Sequence, residues 1–250
     1  MTFLGTGTST GVPVIGCKCK VCQSSDIRDK RMRASVFLEV DDKNILIDCG
    51  PDFRAQMLFH DIDQIDAILL THKHIDHIGG IDDLRPLGNK KIYLDKQTED
   101  AVRQMYGYCF VENPYPGVPS LSLERITFEP FKICDGAIEV IPIRVMHGKM
   151  EIMGYRIGNF AYITDVSSLA DDAEYEKLKG LEVVVLGCLR MTEHHSHQKF
   201  QEAMEMAKRI NAKQTFFTHM CHHIGLHSEI EDLVPENIMF AYDGLSIAFE

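Results

Sequence analysis

A layered α/β domain is the architecture expected of this 250-residue chain. Three observations lead there. Short β-branched runs alternate with helix-like stretches through the second half, the pattern of sheets covered by helices. No low-complexity segment, charge block or Pro/Gly/Ser-rich linker interrupts the chain. One domain over residues 1–250 is therefore the simplest division. Finally, His72, His147, Asp165 and His219 each end a strand-like apolar run. Residues at strand ends can converge on one edge of a layered domain without entering its core.

The elements follow in order. "SVFLEVDDKNILID" (35–48) is two apolar runs around a polar turn, a hairpin signal. "PDFRAQMLFH" opens with Pro and Asp and predicts a helix. "DAILLTH" (66–72) predicts a buried strand, and "KQTEDAVRQMYG" a helix by composition. "AIEVIPIRVMH" (137–147) and "NFAYITD" (159–165) predict strands. "SSLADDAEYEKLKG" predicts a helix capped by Ser at its start and Gly at its end. "LEVVVLG" predicts a strand, "QKFQEAMEMAKRIN" a helix and "KQTFFTH" a last strand. No internal repeat is evident.

Composition narrows the classes of function. The formal net charge of −11 disfavours non-specific binding to nucleic acid. No apolar run is long enough to span a membrane. "MTFLGTGTST" lacks the basic region and apolar stretch of a secretory signal, so a cytoplasmic location is the default. Eight cysteines in such a protein do not suggest a disulfide framework.

The densest chemistry is "THKHIDHIGG" (71–80), with three histidines and an aspartate in six positions. In an extended stretch, side chains two apart share a side, so His72 and His74 can grip one ion. Asp76 and His77 lie where the chain must turn and can face a second. Gly79 and Gly80 permit a tight turn and close backbone approach. Imidazole and carboxylate suit zinc, manganese, iron or nickel. A second array, "GCKCKVC", places Cys17, Cys19 and Cys22 in a Cys-x-Cys-x2-Cys loop (about 16–23). A structural zinc site needs a fourth ligand. "THMCHH" offers His222, with Cys221 and His223 as competitors.

His-x-His-x-Asp-His resembles the signature of the metallo-β-lactamase superfamily, and "VMHG", "YITD" and "FFTH" follow in that family's order. The resemblance implies an αββα sandwich with its site at one edge of two sheets. It implies one metal held by His72, His74 and His147, a second held by Asp76, His77 and His219, and Asp165 bridging them. Taken alone, Asp165 could equally start a helix, and His147 or His219 could be turn residues. Asp48 is a candidate to orient a metal-bound imidazole. The expected cofactors are two divalent ions, zinc or manganese before iron or nickel, and one structural zinc.

The cysteine loop, the opening "FLGTGTSTGVP" and the late "YDGLSI" resemble the PhnP-type phosphodiesterases. That resemblance implies hydrolysis of a small, cyclic phosphodiester, such as a ribose cyclic phosphate or a 2′,3′-cyclic nucleotide, by a homodimer. Two adjacent ions can clamp phosphate oxygens and activate water between them, with Asp76 and His195 as catalytic residues. By its resemblance to that branch, His195 is the group to donate a proton to the leaving oxygen or to stabilise charge. His197 is expected to cap a helix or lie on the surface, and His194 to lie on the surface. "YGYCFVENPYPGVPSL" (106–121) is expected at the pocket edge, with Tyr115 stacking on a base or packing in the loop. Arg54, Arg85 and Arg144 are further candidates to meet phosphate, against surface roles.

Three other readings compete. An RNase Z-like tRNA 3′-endonuclease shares the metal motifs, but such enzymes use a basic arm that is not evident here. A thioester hydrolase or lactamase is not expected to carry the cysteine loop. A non-hydrolytic zinc-binding accessory protein of cofactor biosynthesis is expected to have lost ligands that this chain keeps.

Overall fold

The computed structural model describes residues 1–249. Six strands form the first sheet in chain order: β1 (Thr2–Gly5), β2 (Ser35–Val40), β3 (Lys43–Ile47), β4 (Ala67–Leu69), β5 (Lys90–Leu94) and β6 (Leu121–Arg125). The expected hairpin is β2–β3, with Asp41 and Asp42 both in the left-handed region at its turn. From β3 onward the pairing is parallel. The helices α1 (Phe53–Phe59), α2 (Ile75–Ile78) and α3 (Lys96–Met105) supply or flank the crossovers.

The second sheet is built from β7 (Phe131–Ile133), β8 (Ile138–His147), β9 (Met150–Ile157), β10 (Phe160–Ile163), β11 (Ser168–Leu169), β12 (Val183–Gly187), β13 (Gln214–Thr218) and β14 (Ile238–Phe240). Its order is β11-β8-β9-β10-β12-β13-β14, with β7 paired to β8. The strands β10, β12, β13 and β14 run parallel. The helices α4 (Asp172–Glu176), α5 (Phe200–Ile210) and α6 (His227–Ile230) complete this half.

Alternation along the strands creates the layers. Val36 and Leu38 of β2, Ile45 and Ile47 of β3, Tyr155 of β9, Tyr162 of β10 and Val183 and Val185 of β12 meet between the sheets. Their neighbours Phe37 and Leu46 face α1 and α3 instead, while Val184 and Leu186 face α5. Sheets buried on both faces need continuous apolar runs, which explains "VVVL" and "ILI". Each fully buried Val, Ile or Leu contributes about 1.5–3 kcal/mol. Helix α5 buries Ala203, Met206, Ala207 and Ile210, one face at helical spacing, and Asn211 ends it in the left-handed region. The result is the αββα sandwich.

One predicted helix is shorter than expected. "SSLADDAEYEKLKG" is not helical from its serines. Ser167 bonds the Met146 carbonyl through both its amide and its hydroxyl, which holds Ser168–Leu169 as an edge strand on β8. The helix starts later, capped by Asp171, whose carboxylate accepts from the amides of Ala173 and Glu174. No helix among the described residues is long and apolar enough to cross a membrane.

Candidate metal centre

Five strands deliver the site to one edge. Asp48 follows β3, His72 lies beyond β4, His147 ends β8, Asp165 follows β10 and His219 follows β13. Asp48, Asp165 and His219 all have positive φ. A strand that ends in a left-handed residue turns sharply, and such strain in non-glycine residues is typical of functional positions.

The turn after His72 is held from below. The Cys49 amide donates to the His77 carbonyl at 2.8 Å, and the Gly80 amide donates to the Cys49 carbonyl at 2.8 Å. Gly79 and Gly80 have ordinary negative φ. Their need for glycine is space: a Cβ on Gly80 would lie 2.1 Å from the Gly50 carbonyl oxygen.

The expected ligands come together. His72 Nε2 and His74 Nδ1 stand 2.9 Å apart, and the His147 ring is 5.1 Å from that of His74. His77 Nε2 lies 3.3 Å from Asp76 Oδ2 and 3.2 Å from Asp165 Oδ2. His219 Nε2 lies 3.4 and 3.2 Å from the same two oxygens. His72, His74 and His147 form one group able to hold an ion, and Asp76, His77 and His219 another. Asp165 joins His72 and His77, and also His147 and His197.

Outer partners set the tautomers. Asp48, fully buried, accepts from His77 Nδ1 at 2.7 Å and from the Thr71 amide at 2.8 Å. The Thr71 hydroxyl donates to that carboxylate and lies 3.0 Å from His72 Nδ1. His147 Nδ1 donates to the Ser196 carbonyl at 2.9 Å. Each arrangement leaves Nε2 for the site, the usual second layer around metal-bound imidazole.

The charges also suit cations. Burial would raise Asp165, but His219 and His77 outweigh it and hold this carboxyl well below its usual range. Burial opposes charge on His77, yet Asp48, Asp76 and Asp165 favour positive charge at this position, the charge that a bound ion would supply in place of a second proton on the ring. Among the described residues His77 Nε2 makes no hydrogen bond of good geometry, although two carboxylate oxygens lie within 3.3 Å. A buried nitrogen placed between carboxylates without bonding either fits a shared ion, and the residues present fit a pair of divalent metals.

A cavity of about 510 Å³ opens over this set, lined also by Ser9, Gly148, Lys149, Met150, His195, Ser196 and His197. A larger one, about 930 Å³, lies by Met1, Gly158 and Phe249 at the other end of the strands and holds none of these groups.

The histidine loop departs from expectation at His197. His195 is exposed on the cavity rim, with its ring 4.3 Å from that of His194. His197 is neither a cap nor a surface residue. Its ring stacks on His219 at 5.1 Å and its Nδ1 lies 3.6 Å from Asp165. Burial, then the His219 charge, pushes it down to about 3. Helix α5 is capped at Lys199, so the loop before it is free to turn His197 inward. No local spacing could have found it: two residues beyond the exposed His195, an extended stretch would put His197 on the same outer side, and the turn of the loop sends it inward.

Other candidates lie elsewhere. Among the described residues, none of those from 106–121 lines this cavity, and Tyr115 is exposed. Arg54 and Arg85 line a separate cavity beside Phe53 and Pro86. Arg144 lies over the Phe128 ring at 4.4 Å.

The cysteine loop forms a second group. His222 Nδ1 lies 3.3 Å from Cys17 Sγ, 3.3 Å from Cys19 Sγ and 3.5 Å from Cys22 Sγ. These four could hold one ion, while Cys221 and His223 are outside the group. The Cys22 amide, opposed by burial but joined by His222, lowers Cys19 to about 6, toward the thiolate a metal needs. His219 and His222 share one loop, stitched by the Met220 amide to the Thr6 carbonyl at 2.9 Å.

Comparison with known proteins agrees. The profile of the Beta-lactamase superfamily domain matches residues 43–220. An octanoyltransferase of Porphyromonas gingivalis (strain ATCC BAA-308 / W83) is 44% identical over 249 residues, 97% of this chain and 50% of that protein. The chain thus spans about half the length of that relative. The crystal structure of a new diphosphatase from the PhnP family superposes with a TM-score of 0.92 at 40% identity, covering 100% of this chain and 97% of the other. Zn(2+)-bound PqqB from Methylobacterium extorquens gives 0.76 at 18% identity over 99% of each chain, a likeness of fold alone. With both ligand groups assembled at the edge of an αββα sandwich, this chain belongs to the metallo-β-lactamase superfamily and is related to its PhnP branch.

Proposed function

We propose that this chain hydrolyses small phosphodiesters, cyclic ones such as ribose cyclic phosphates or 2′,3′-cyclic nucleotides first among them, with two metal ions. The observation that carries this reading is Asp165, whose carboxylate lies 3.2 Å from both His77 and His219 and also groups with His147 and His197. One carboxylate shared by both ligand groups is what a paired site requires. When bound, the metals would supply Lewis acidity and activated water. A cavity of about 510 Å³ suits a small ligand better than a polynucleotide.

The chain's own residues then divide the work. Asp48 and Thr71 keep His77 and His72 presenting Nε2. His74 is exposed at the mouth, so substrate can approach from solvent. His197, held neutral by burial against Asp165 and His219, is placed to orient those two side chains, while His195 at the rim is the group placed to donate a proton to the leaving oxygen or to stabilise charge there.

The test is turnover by metal-loaded protein of bis(p-nitrophenyl) phosphate, 2′,3′-cyclic AMP, a tRNA precursor and a thioester. Hydrolysis of the first two, lost in Asp165→Asn, supports the proposal. Activity on the thioester or tRNA alone would sink it. His195→Ala should lose more on cyclic AMP than on the activated aryl ester, whereas His197→Ala should lose both alike. A second reading, cleavage of a diphosphate linkage, is favoured by the likeness to the PhnP-family diphosphatase, and a dinucleoside diphosphate belongs in the same screen. The fuller proposal is a cytoplasmic homodimer carrying zinc or manganese at the paired site and zinc at the cysteines. Metal analysis and sedimentation address those parts.

A further inference from the structure

We propose that the cavity between α1 and the short helix Ile81–Leu87 binds an amphipathic anion, an alkyl chain that ends in a carboxylate or phosphate head. The inference is independent of the phosphodiester reading, because this cavity and the one over the metal centre share no lining residue. Its volume, about 400 Å³, lies in the ordinary range for small-molecule sites.

The walls match both halves of such a ligand. Phe53 and Met57 are buried and form the floor with the half-buried Ile62 and Leu87. Leu58 stands at the rim and is 66% exposed, although Met57 beside it is already in the core. An alkyl chain laid along Leu58 would take that surface out of water. The exposed Arg54 and Arg85 line the same cavity, against a single carboxylate, that of Asp83. Arg85 is paired with Asp82. The Arg54 side chain has no ion pair or hydrogen bond among the described residues. An unmatched guanidinium beside an apolar floor, in a chain of net charge −11, selects for an anion with an apolar body. A neutral alkyl ligand would leave Arg54 unmatched, and a compact polar anion would leave the floor wet.

The two walls are fixed where they meet. The Phe53 amide donates to the Gly50 carbonyl, and the Asp83 amide to the Gly80 carbonyl, both at 3.0 Å. A Cβ on Gly80 would lie 2.7 Å from the Phe53 Cβ. Both walls therefore spring from the glycines beneath the histidine turn. The gap between them is preformed, which lowers the cost of binding.

The experiment is isothermal titration of the metal-loaded chain with decanoate and with decyl phosphate, and decyltrimethylammonium is the charge control. Both anions should bind at one site per chain, and the tighter of the two identifies the head group. The cation should bind at least tenfold more weakly. Octanoate should bind about tenfold more weakly than decanoate, because two buried methylenes are lost. Arg54→Gln should weaken decanoate about three- to fivefold, as suits an exposed charge, and Arg54→Lys should recover most of that loss. Leu58→Asp should abolish binding. Neither substitution should move the Tm of the ligand-free chain. Equal affinity for the cation, binding unmoved by both substitutions, or displacement of decanoate by bis(p-nitrophenyl) phosphate overturns the proposal. So does a wild type that binds no decanoate but sediments as a dimer that Leu58→Asp splits, since the cavity would then seat a second copy of the chain.

Discussion

Asp48→Asn probes the second layer without removing a metal ligand. The carboxylate is fully buried and accepts three bonds, from His77 Nδ1 at 2.7 Å, the Thr71 amide at 2.8 Å and the Thr71 hydroxyl at 2.9 Å. Asparagine keeps the shape but has one accepting oxygen. If that oxygen serves the Thr71 amide, the new NH2 faces the His77 Nδ1–H, donor against donor. The imidazole can escape by moving its proton to Nε2, which removes the lone pair it presents to the site. Loss of such an outer partner costs about 10–100-fold in metal affinity or activity. Mismatched buried groups cost about 1–3 kcal/mol of stability, near 2–4 °C in Tm per kcal/mol for a chain this size. Competition with a chromogenic chelator would measure affinity ion by ion, and a thermal melt the stability. One ion should weaken and the other should hold. A variant that binds both as the wild type does, with equal turnover, would show that the Asp48–His77 bond orients nothing.

Further outcomes follow from the same structure. Cys19→Ser should lower the zinc count by one per chain and lower Tm, because metal binding there is coupled to folding. An unchanged metal content would remove the loop as a metal site. It should also reduce turnover, since His222 and His219 share the loop stitched to Thr6. His227 is buried, lies 3.4 Å from Arg31 Nη2 and is pushed down to about 4, first by burial and then by Arg31. A folded value below the unfolded one means that the unfolded chain takes the proton first as pH falls. Stability is then lost between about pH 6.5 and 4, on the order of 3 kcal/mol in all. His227→Gln should flatten that loss in urea titrations at pH 7 and pH 4.5, and an unchanged difference would count against it.

The residues proposed as paired-site ligands could be picked out from the chain, four of them because their spacing is local. His72, His74, Asp76 and His77 occupy six positions, and strand-end runs announced His147, Asp165 and His219. The hairpin of β2 and β3 and the helix α5 were equally readable, since period and turn chemistry act over a few residues. The strands β1, β5, β6, β7, β9 and β14 are not evident in the sequence, and β11 reads there as helix. They are short or lie beside stronger local signals, and their pairing partners decide them.

Tertiary structure alone decided three things. It turned His197 inward and left His195 on the rim, because the loop ends where α5 packs and Ser196 is held by His147. It chose His222 over Cys221 and His223, since the choice depends on how a loop more than 190 residues away meets the cysteines. It also withdrew Arg54, Arg85 and Arg144 from the cavity and left Lys149 on its wall. Residue type announces what a side chain can do, and neighbours distant in sequence determine which way it faces.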